Sequence, residues 1–375
     1  MTSAVIAGYL RSPFTLAQKG ALAKVRPDDL CAAVIRELVR RTGVNPAEIE
    51  DVIVGCAFPE AEQGLNVART ISFLAGLPHT LAATTVNRYC GSSMQAIHIA
   101  AGAIALGAGN VFLCAGVESM SRVPVMGFNP MPHPKLAADL PGAYLSMGCT
   151  AENLARQYGL SRREQEAFAL GSQAKVAAAL AAGHFVDEIV PINASITADG
   201  CPRPDVTAAK LAELKPAFEA TGTVTPGTAS PLTDGAAATL VVAEDYALAL
   251  GLPVLARIRS VAVSGCAPEV MGLGPVESTR KALRRAGLTV ADIDLIELNE
   301  AFAAQSLACI RELGLDPDRI NLDGGAIALG HPLGATGARI TGKAAALLKR
   351  SGKQFALATQ CIGGGQGIAT VLEAV

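Results

Sequence analysis

The chain repeats itself. RRTGVNPAEIEDVI at 40–53 and RRAGLTVADIDLIE at 284–297 share one plan: the basic end of a helix, a glycine stop, a short acidic turn, then an apolar strand. Gly43 and Gly287 stand 244 positions apart. The same offset carries Val111 onto Phe355, and each of these opens a strand after an alanine-rich helix. Two matches at one offset argue for duplicated α/β halves.

The first half is expected over 1–118, with strands at Ala4–Gly8, Asp51–Gly55, Ala82–Asn87 and Val111–Gly116. Helices near 28–42, 65–76 and 92–107 alternate with them. The second half is expected over 253–375. Its strands are predicted near 254–263, 293–298, 319–322, 354–360 and 367–373, its helices near 275–286, 300–313 and 335–350. Such alternation builds mixed or parallel sheets covered by helices. Residues 119–231 break the pattern with proline- and glycine-rich stretches around a helical pair at 150–182, and are read as an inserted loop domain. The segment 232–252, with a strand at Ala237–Ala243, is expected to return to the first half.

Composition narrows the function classes. Thirty-one basic and thirty-three acidic residues leave a formal charge of −2, so no basic excess is available for nucleic acid or an anionic membrane. Tryptophan is absent and aromatics are 4%, which disfavours base-stacking platforms. Half the residues are hydrophobic, but glycine, proline and charge interrupt them too often for a membrane span. Nine scattered cysteines without a CxxC pair fit a reducing, cytoplasmic setting better than a disulfide framework. The five histidines show no metal-ligand spacing, so no metal is expected.

Four motifs carry chemistry. In NRYCGSSMQAI, Cys90 stands where a strand gives way to a helix that reads as wholly buried. A thiol at a helix start has its thiolate stabilised, and a free backbone N–H there can hold an oxyanion. The plain alternative is a small core residue. In GGAIALGHPLGATGAR, His331 alone titrates near neutrality and is the candidate base for Cys90. By the offset, Cys90 corresponds to Gly334, so the two loops are expected to face each other across a pseudo-twofold axis. The glycine run has no P-loop ending and no GxGxxG, although a helix start can hold phosphate. In CIGGGQG, Cys361 closes a strand before a glycine turn that either offers bare N–H groups to a carbonyl oxygen or simply makes a hairpin. In NEAFAAQ, Asn299 either caps a helix or aims its amide at a bound water. His98, eight residues after Cys90, reads as a satisfied core residue.

These motifs, with MGCTAENLARQYGLSRREQEAFA at 147–169 and TVTPGTASPLTDGAAA at 223–238, resemble the thiolase family along essentially the whole chain. The wording is most similar to bacterial 3-ketoacyl-CoA thiolases. The resemblance implies a five-layered αβαβα core of two duplicated halves, an inserted loop domain that binds coenzyme A, and a homodimer or homotetramer. It also implies a β-oxidation dehydrogenase as partner, and coenzyme A as substrate with no further cofactor. Carried over residue by residue, Cys90 is the nucleophile, His331 its activator, and Cys361 the acid/base at the α-carbon. Asn299 completes one oxyanion hole through a water; the N–H groups of Cys90 and Gly363 form the other. Ser230, Met147, Ala301 and Phe302 line the pantetheine channel, and Arg203 lies near an arginine that packs on adenine. Acetoacetyl-specific members commonly carry histidine before the methionine matched by Met147. Ser146 stands there in this chain, which favours the broad degradative type over a biosynthetic acetoacetyl enzyme or a 3-oxoadipyl-CoA thiolase. A decarboxylating ketoacyl synthase is expected to carry two catalytic histidines. A lipid-binding module of this fold is expected to have lost Cys90, His331 or Cys361.

Overall fold

The computed structural model describes residues 2–375. The first half contains β1 (Ala4–Arg11), β2 (Thr15–Leu16), α1 (Pro27–Thr42), β3 (Asp51–Gly55), α2 (Val67–Leu74), β4 (Ala82–Val86), α3 (Ser92–Ala105) and β5 (Val111–Ser119). The middle segment holds α4 (Pro134–Asp139), α5 (Met147–Gln157), α6 (Arg162–Ala181) and α7 (Ala208–Ala212). Then follow β6 (Thr233–Ala243) and α8 (Glu244–Ala249). The second half comprises β7 (Ala256–Gly265), α9 (Gly274–Ala286), β8 (Leu295–Leu298), α10 (Ala303–Leu313), α11 (Ala326–Leu329), α12 (Leu333–Ser351), β9 (Phe355–Ile362) and β10 (Gln366–Glu373).

The duplication is visible in the backbone. α1 and α9 each have proline in the first turn and paired arginines in the last, and stop at Gly43 (φ 71°) and Gly287 (φ 72°). Glycine takes that left-handed turn without strain. β3 and β5 run parallel with Asp51 opposite Phe112; β8 and β9 run parallel with Leu295 opposite Ala356. Both partners have moved by the same 244 positions, so the pairing register itself is repeated. The strand order is β4-β3-β5-β6-β1 in one half and β7-β10-β9-β8 in the other. The two halves join edge to edge where Val5 and Ile6 meet Arg257 and Ala256. β6 pairs with β5 and β1, so the chain does return to the first half after the insertion.

Five layers result. α1 and α2 cover the outer face of the first half-sheet, and α9 covers the second. α3 and α12 pack on each other between the sheets. Every residue of α12 from Gly334 to Ala345 is buried, as a central helix requires. α3 departs from the expectation of complete burial: Ile99 is 39% and Leu106 87% exposed, an apolar stripe at helical spacing. The expected strand at 319–322 is also absent. Ile320 makes a single bridge to Ile296, and the left-handed backbone of Asn321 (φ 46°) ends the extended run.

The insertion packs on the second half, α5 against α10 and α6 against α10 and α11. A buried ionic cluster ties it to the first half as well. Arg11 of β1, fully buried, pairs with Glu188 (2.7 Å) and Asp199 (2.7 Å) of the insertion. Glu188 pairs with Lys343 of α12 (2.8 Å), and Lys343 with Asp323 (2.7 Å). No described helix is long and apolar enough to cross a membrane.

Candidate active site

Cys90 sits on a strained strap between β4 and α3. Asn87 Oδ1 accepts the Tyr89 N–H (2.8 Å), and Ser92 Oγ accepts the Arg88 N–H (2.9 Å) while donating to the Tyr89 carbonyl (2.6 Å). These bonds hold Tyr89 at φ 43°, a conformation that costs a non-glycine residue roughly 1–2 kcal/mol. Cys90 itself is half-buried. Gly91 caps α3, so the thiol lies one residue outside the helix start. Burial pushes the Cys90 thiol up to about 11, with the Glu118 charge adding to the rise. The backbone N–H groups of Gly363 and of Cys90 itself stand near the sulfur and oppose that rise.

The β9–β10 hairpin closes over this strap. Cys361 is the next-to-last residue of β9 at 1% exposure, and Gly364 (φ 77°) and Gly365 (φ 81°) make the turn. The glycine motif is a hairpin turn, and it brings the Gly363 N–H near the Cys90 sulfur. Gln360 Nε2 donates to the Cys90 carbonyl, locking the two segments together. Burial pushes the Cys361 thiol well up, and Cys90 lies close enough to raise it further.

Asn299 and His331 form a second pair. Asn299 does not cap α10, whose cap is Phe302. Its Nδ2 faces His331 Nε2 at 3.4 Å, and its Oδ1 is buried without a protein partner. His331 Nδ1 lies 2.6 Å from Thr336 Oγ1, which donates to the Pro332 carbonyl at 3.0 Å. That carbonyl takes the hydroxyl proton, so Nδ1 carries the imidazole proton and Nε2 is left as the acceptor. Burial holds His331 down at about 3, reinforced by the Arg339 charge. At neutral pH the ring is an uncharged base.

The apolar wall beside the sulfurs contains Met147, Ala301, Phe302 and Cys361 in one cluster. A Cβ added at Gly363 would stand 3.4 Å from Met147 Sδ. The Ser230 N–H donates to the Ala301 carbonyl (3.0 Å), which brings the TASPL loop against the NEAF segment. Arg203 lies apart from this group. It lines an open groove of about 360 Å³ with Pro204, Asp205, Val206, Lys210, Leu211 and Leu214. Its guanidinium reaches the Ile327 carbonyl at 3.4 Å, and burial lowers it from the usual arginine range. His98 is 8% exposed and bonds Thr370 Oγ1 at 2.8 Å, a satisfied core histidine. Motif reading missed Thr336, Gln360 and Glu118. Of these, only Thr336 had a signal, a hydroxyl at the helix start after GHP.

Comparison with known proteins agrees with this arrangement. Residues 4–245 match the family model for the thiolase N-terminal domain, and residues 252–374 that for the thiolase C-terminal domain. The chain is 50% identical to a 3-ketoacyl-CoA thiolase of Bacillus subtilis and 49% identical to one of Vibrio cholerae, each match covering all of both chains. Its structure superposes on the crystal structure of the Bacillus anthracis acetyl-CoA acetyltransferase with a TM-score of 0.92 at 41% identity, covering 100% of this chain and 99% of that one. Duplicated halves, the paired cysteines and these matches together place the chain in the thiolase family.

Proposed function

We propose that this chain is an acyltransferase that cleaves 3-ketoacyl-CoA with coenzyme A, giving acetyl-CoA and a shortened acyl-CoA. The observation that carries the reading is the bond from Gln360 Nε2 to the Cys90 carbonyl, which joins the hairpin bearing Cys361 and Gly363 to the strap bearing the Cys90 sulfur. A carbon bonded to that sulfur has its oxygen beside the N–H groups of Gly363 and Cys90, an oxyanion hole.

The thiol and the imidazole are both neutral at rest, so the proton leaves Cys90 only as sulfur attacks the substrate ketone. His331 Nε2 receives it. The ketone oxygen becomes an alkoxide held by the two N–H groups. Collapse of the alkoxide breaks the bond between the ketone carbon and the α-carbon, leaving an acyl thioester on Cys90 and an enolate of acetyl-CoA. The thioester oxygen of the enolate is held by His331 and by Asn299 through a water. The unpartnered Asn299 Oδ1 and the adjacent Nδ2 suit that water. Cys361 gives its proton to the α-carbon. Coenzyme A then attacks the acyl group, giving its thiol proton to the Cys361 thiolate; the bond from the acyl carbon to sulfur breaks, and Cys90 takes back its proton from His331. The reverse sequence is a Claisen condensation begun by Cys361.

Coenzyme A is a substrate here, its pantetheine arm running past Met147, Ala301, Phe302 and Ser230. Arg203 has no acidic partner among the described residues and borders an open groove, which suits a stacked adenine. Ser146 caps α5 by accepting the Cys149 N–H (3.3 Å). It is small, which favours acyl chains longer than acetoacetyl. The setting proposed is cytoplasmic β-oxidation beside a dehydrogenase. A homodimer is proposed through the β4 edge, which pairs with β3 on one side, next to exposed Ile99, Leu106, Phe73 and Leu74. The test is thiolysis of 3-ketoacyl-CoA substrates of increasing length, followed by loss of enolate absorbance. Activity extending well beyond the four-carbon substrate is expected. Failure at every length would end the proposal.

A further inference from the structure

Glu118, at the end of β5, is a carboxylate buried without a cation. It is 1% exposed and forms no ion pair with a described residue. One oxygen accepts from the Phe58 N–H (3.2 Å), Gln63 Nε2 (2.9 Å) and, at longer range, the Cys56 thiol (3.8 Å); the other accepts from the N–H groups of Ala57 (2.8 Å) and Gly334 (2.9 Å). Four of the five partners are N–H donors and the fifth is a weak thiol donor, so a proton on either oxygen would face an N–H group. The geometry therefore selects the ionised form, although burial raises its affinity for a proton.

Those donors come from two places that matter. Gly334 is the second residue of α12, three residues after His331. It is pressed so closely onto the strand ends that a Cβ there would lie 2.6 Å from the Val117 carbonyl and 2.8 Å from the Gly55 carbonyl. Ala57 leads the other way. Its carbonyl accepts Asn87 Nδ2 (3.0 Å), and Asn87 Oδ1 accepts the Tyr89 N–H beside Cys90 (2.8 Å). By the 244-residue offset, Gly334 is the counterpart of Cys90 and Ile362 the counterpart of Glu118. Ile362 packs against Gly91 at the start of α3. The two duplicated helix starts have thus diverged. One presents a thiol, and a carboxylate fills the other.

We propose that Glu118 is a positioning residue for the reaction, clamping the strap that carries Cys90 and the helix start that follows His331 in one fixed relation. It touches neither substrate nor reacting atom. The inference rests on the thiolysis reading, and wild-type enzyme serves as the control that separates the two. An inactive wild type would count against that reading. An active wild type with a normal variant counts against this one.

The variant is Glu118→Gln, which keeps the shape but turns one acceptor into a donor facing N–H groups. A small displacement of the reacting groups can cost up to about a hundredfold in rate, so kcat is expected to fall roughly ten- to a hundredfold, with KM for coenzyme A within about twofold of wild type. The pH profile of Cys90 alkylation by iodoacetamide is expected to move to lower pH. Glu118 is the charged side chain acting on that thiol, and Cys361 faces it from β9 as a neutral thiol. A kcat within twofold of wild type overturns the proposal, and so does a lower kcat with an unmoved alkylation profile. Asn87→Ala, on the exposed end of the relay, gives a second arm that survives any misfolding of the first. Its kcat is expected to fall severalfold, and an unchanged kcat overturns the proposal. Where both fold, the double variant is expected to lose no more than Glu118→Gln alone, and additive losses overturn it.

Discussion

Replacing Thr336 with valine removes one hydroxyl at nearly constant size. The Thr336 Oγ1 accepts the His331 Nδ1 proton at 2.6 Å and donates to the Pro332 carbonyl at 3.0 Å. That carbonyl keeps the N–H groups of Ala335 (3.0 Å) and Thr336 (3.1 Å) as donors, so the loss falls on the imidazole. His331 is 5% exposed, and an unsatisfied buried N–H costs about 1–3 kcal/mol. The tautomer with its proton on Nε2 gains by that amount, and it cannot accept a proton from Cys90. At about 1.4 kcal/mol per factor of ten, kcat for thiolysis should fall about five- to 150-fold. Thr336 is fully buried and lines no open groove, so KM for coenzyme A should stay near wild type. The assay is loss of acetoacetyl-CoA enolate absorbance with added coenzyme A, with a thermal melt to confirm folding. A folded Thr336→Val enzyme within twofold of wild type would refute the tautomer assignment.

Further outcomes follow from the same geometry. Cys90→Ser should abolish thiolysis, and near-normal rates would remove it as the nucleophile. Cys361→Ala should still exchange the acyl group while losing α-proton exchange, measured by deuterium incorporation into acetyl-CoA; normal exchange would reject its role. Gly334→Ala forces a Cβ to within 2.9 Å of backbone atoms on two strands, so its melting temperature should drop sharply. At Gly363 the nearest atom is the flexible Met147 Sδ at 3.4 Å, so Gly363→Ala should fold nearly as wild type. Equal melting temperatures for the two would contradict that comparison. Burial holds His98 down at about 3 against 6.5 in the unfolded chain. The unfolded state alone gains its proton as pH falls from 6.5 toward 3, so this histidine costs about tenfold in the folding equilibrium per pH unit across that window. Denaturant melts of His98→Gln should show an acid decline shallower by that amount, and an unchanged decline would exclude the effect.

The motifs were legible because each couples a reactive side chain to a backbone signal. Cys90 stands between a strand and a helix, Cys361 in the last turn-side residues of a strand and Asn299 just after one, and Gly43 and Gly287 mark the repeat by ending matched helices. What escaped the sequence depends on neighbours remote in the chain. Glu118 is an isolated acid in a strand, and its donors lie 55 to 216 positions away. The position of Cys90 outside the helix depends on a cap set by Gly91, a shift of one or two residues that periodicity cannot resolve. The uncovered stripe of α3 reads as core because an apolar face looks the same whether the chain or another molecule covers it.

The ionic cluster around Arg11 bears on how the molecule can be taken apart. The β1–β7 seam is two residue pairs wide, yet Arg11, Glu188, Lys343 and Asp323 bridge three regions of the chain out of reach of water. Severing one half from the other would strand Arg11 on one fragment and Lys343 on its complement, each facing bulk solvent at a surface built for its partner. Separate expression of the two pieces should therefore yield polypeptides that precipitate alone and dissolve only when made together.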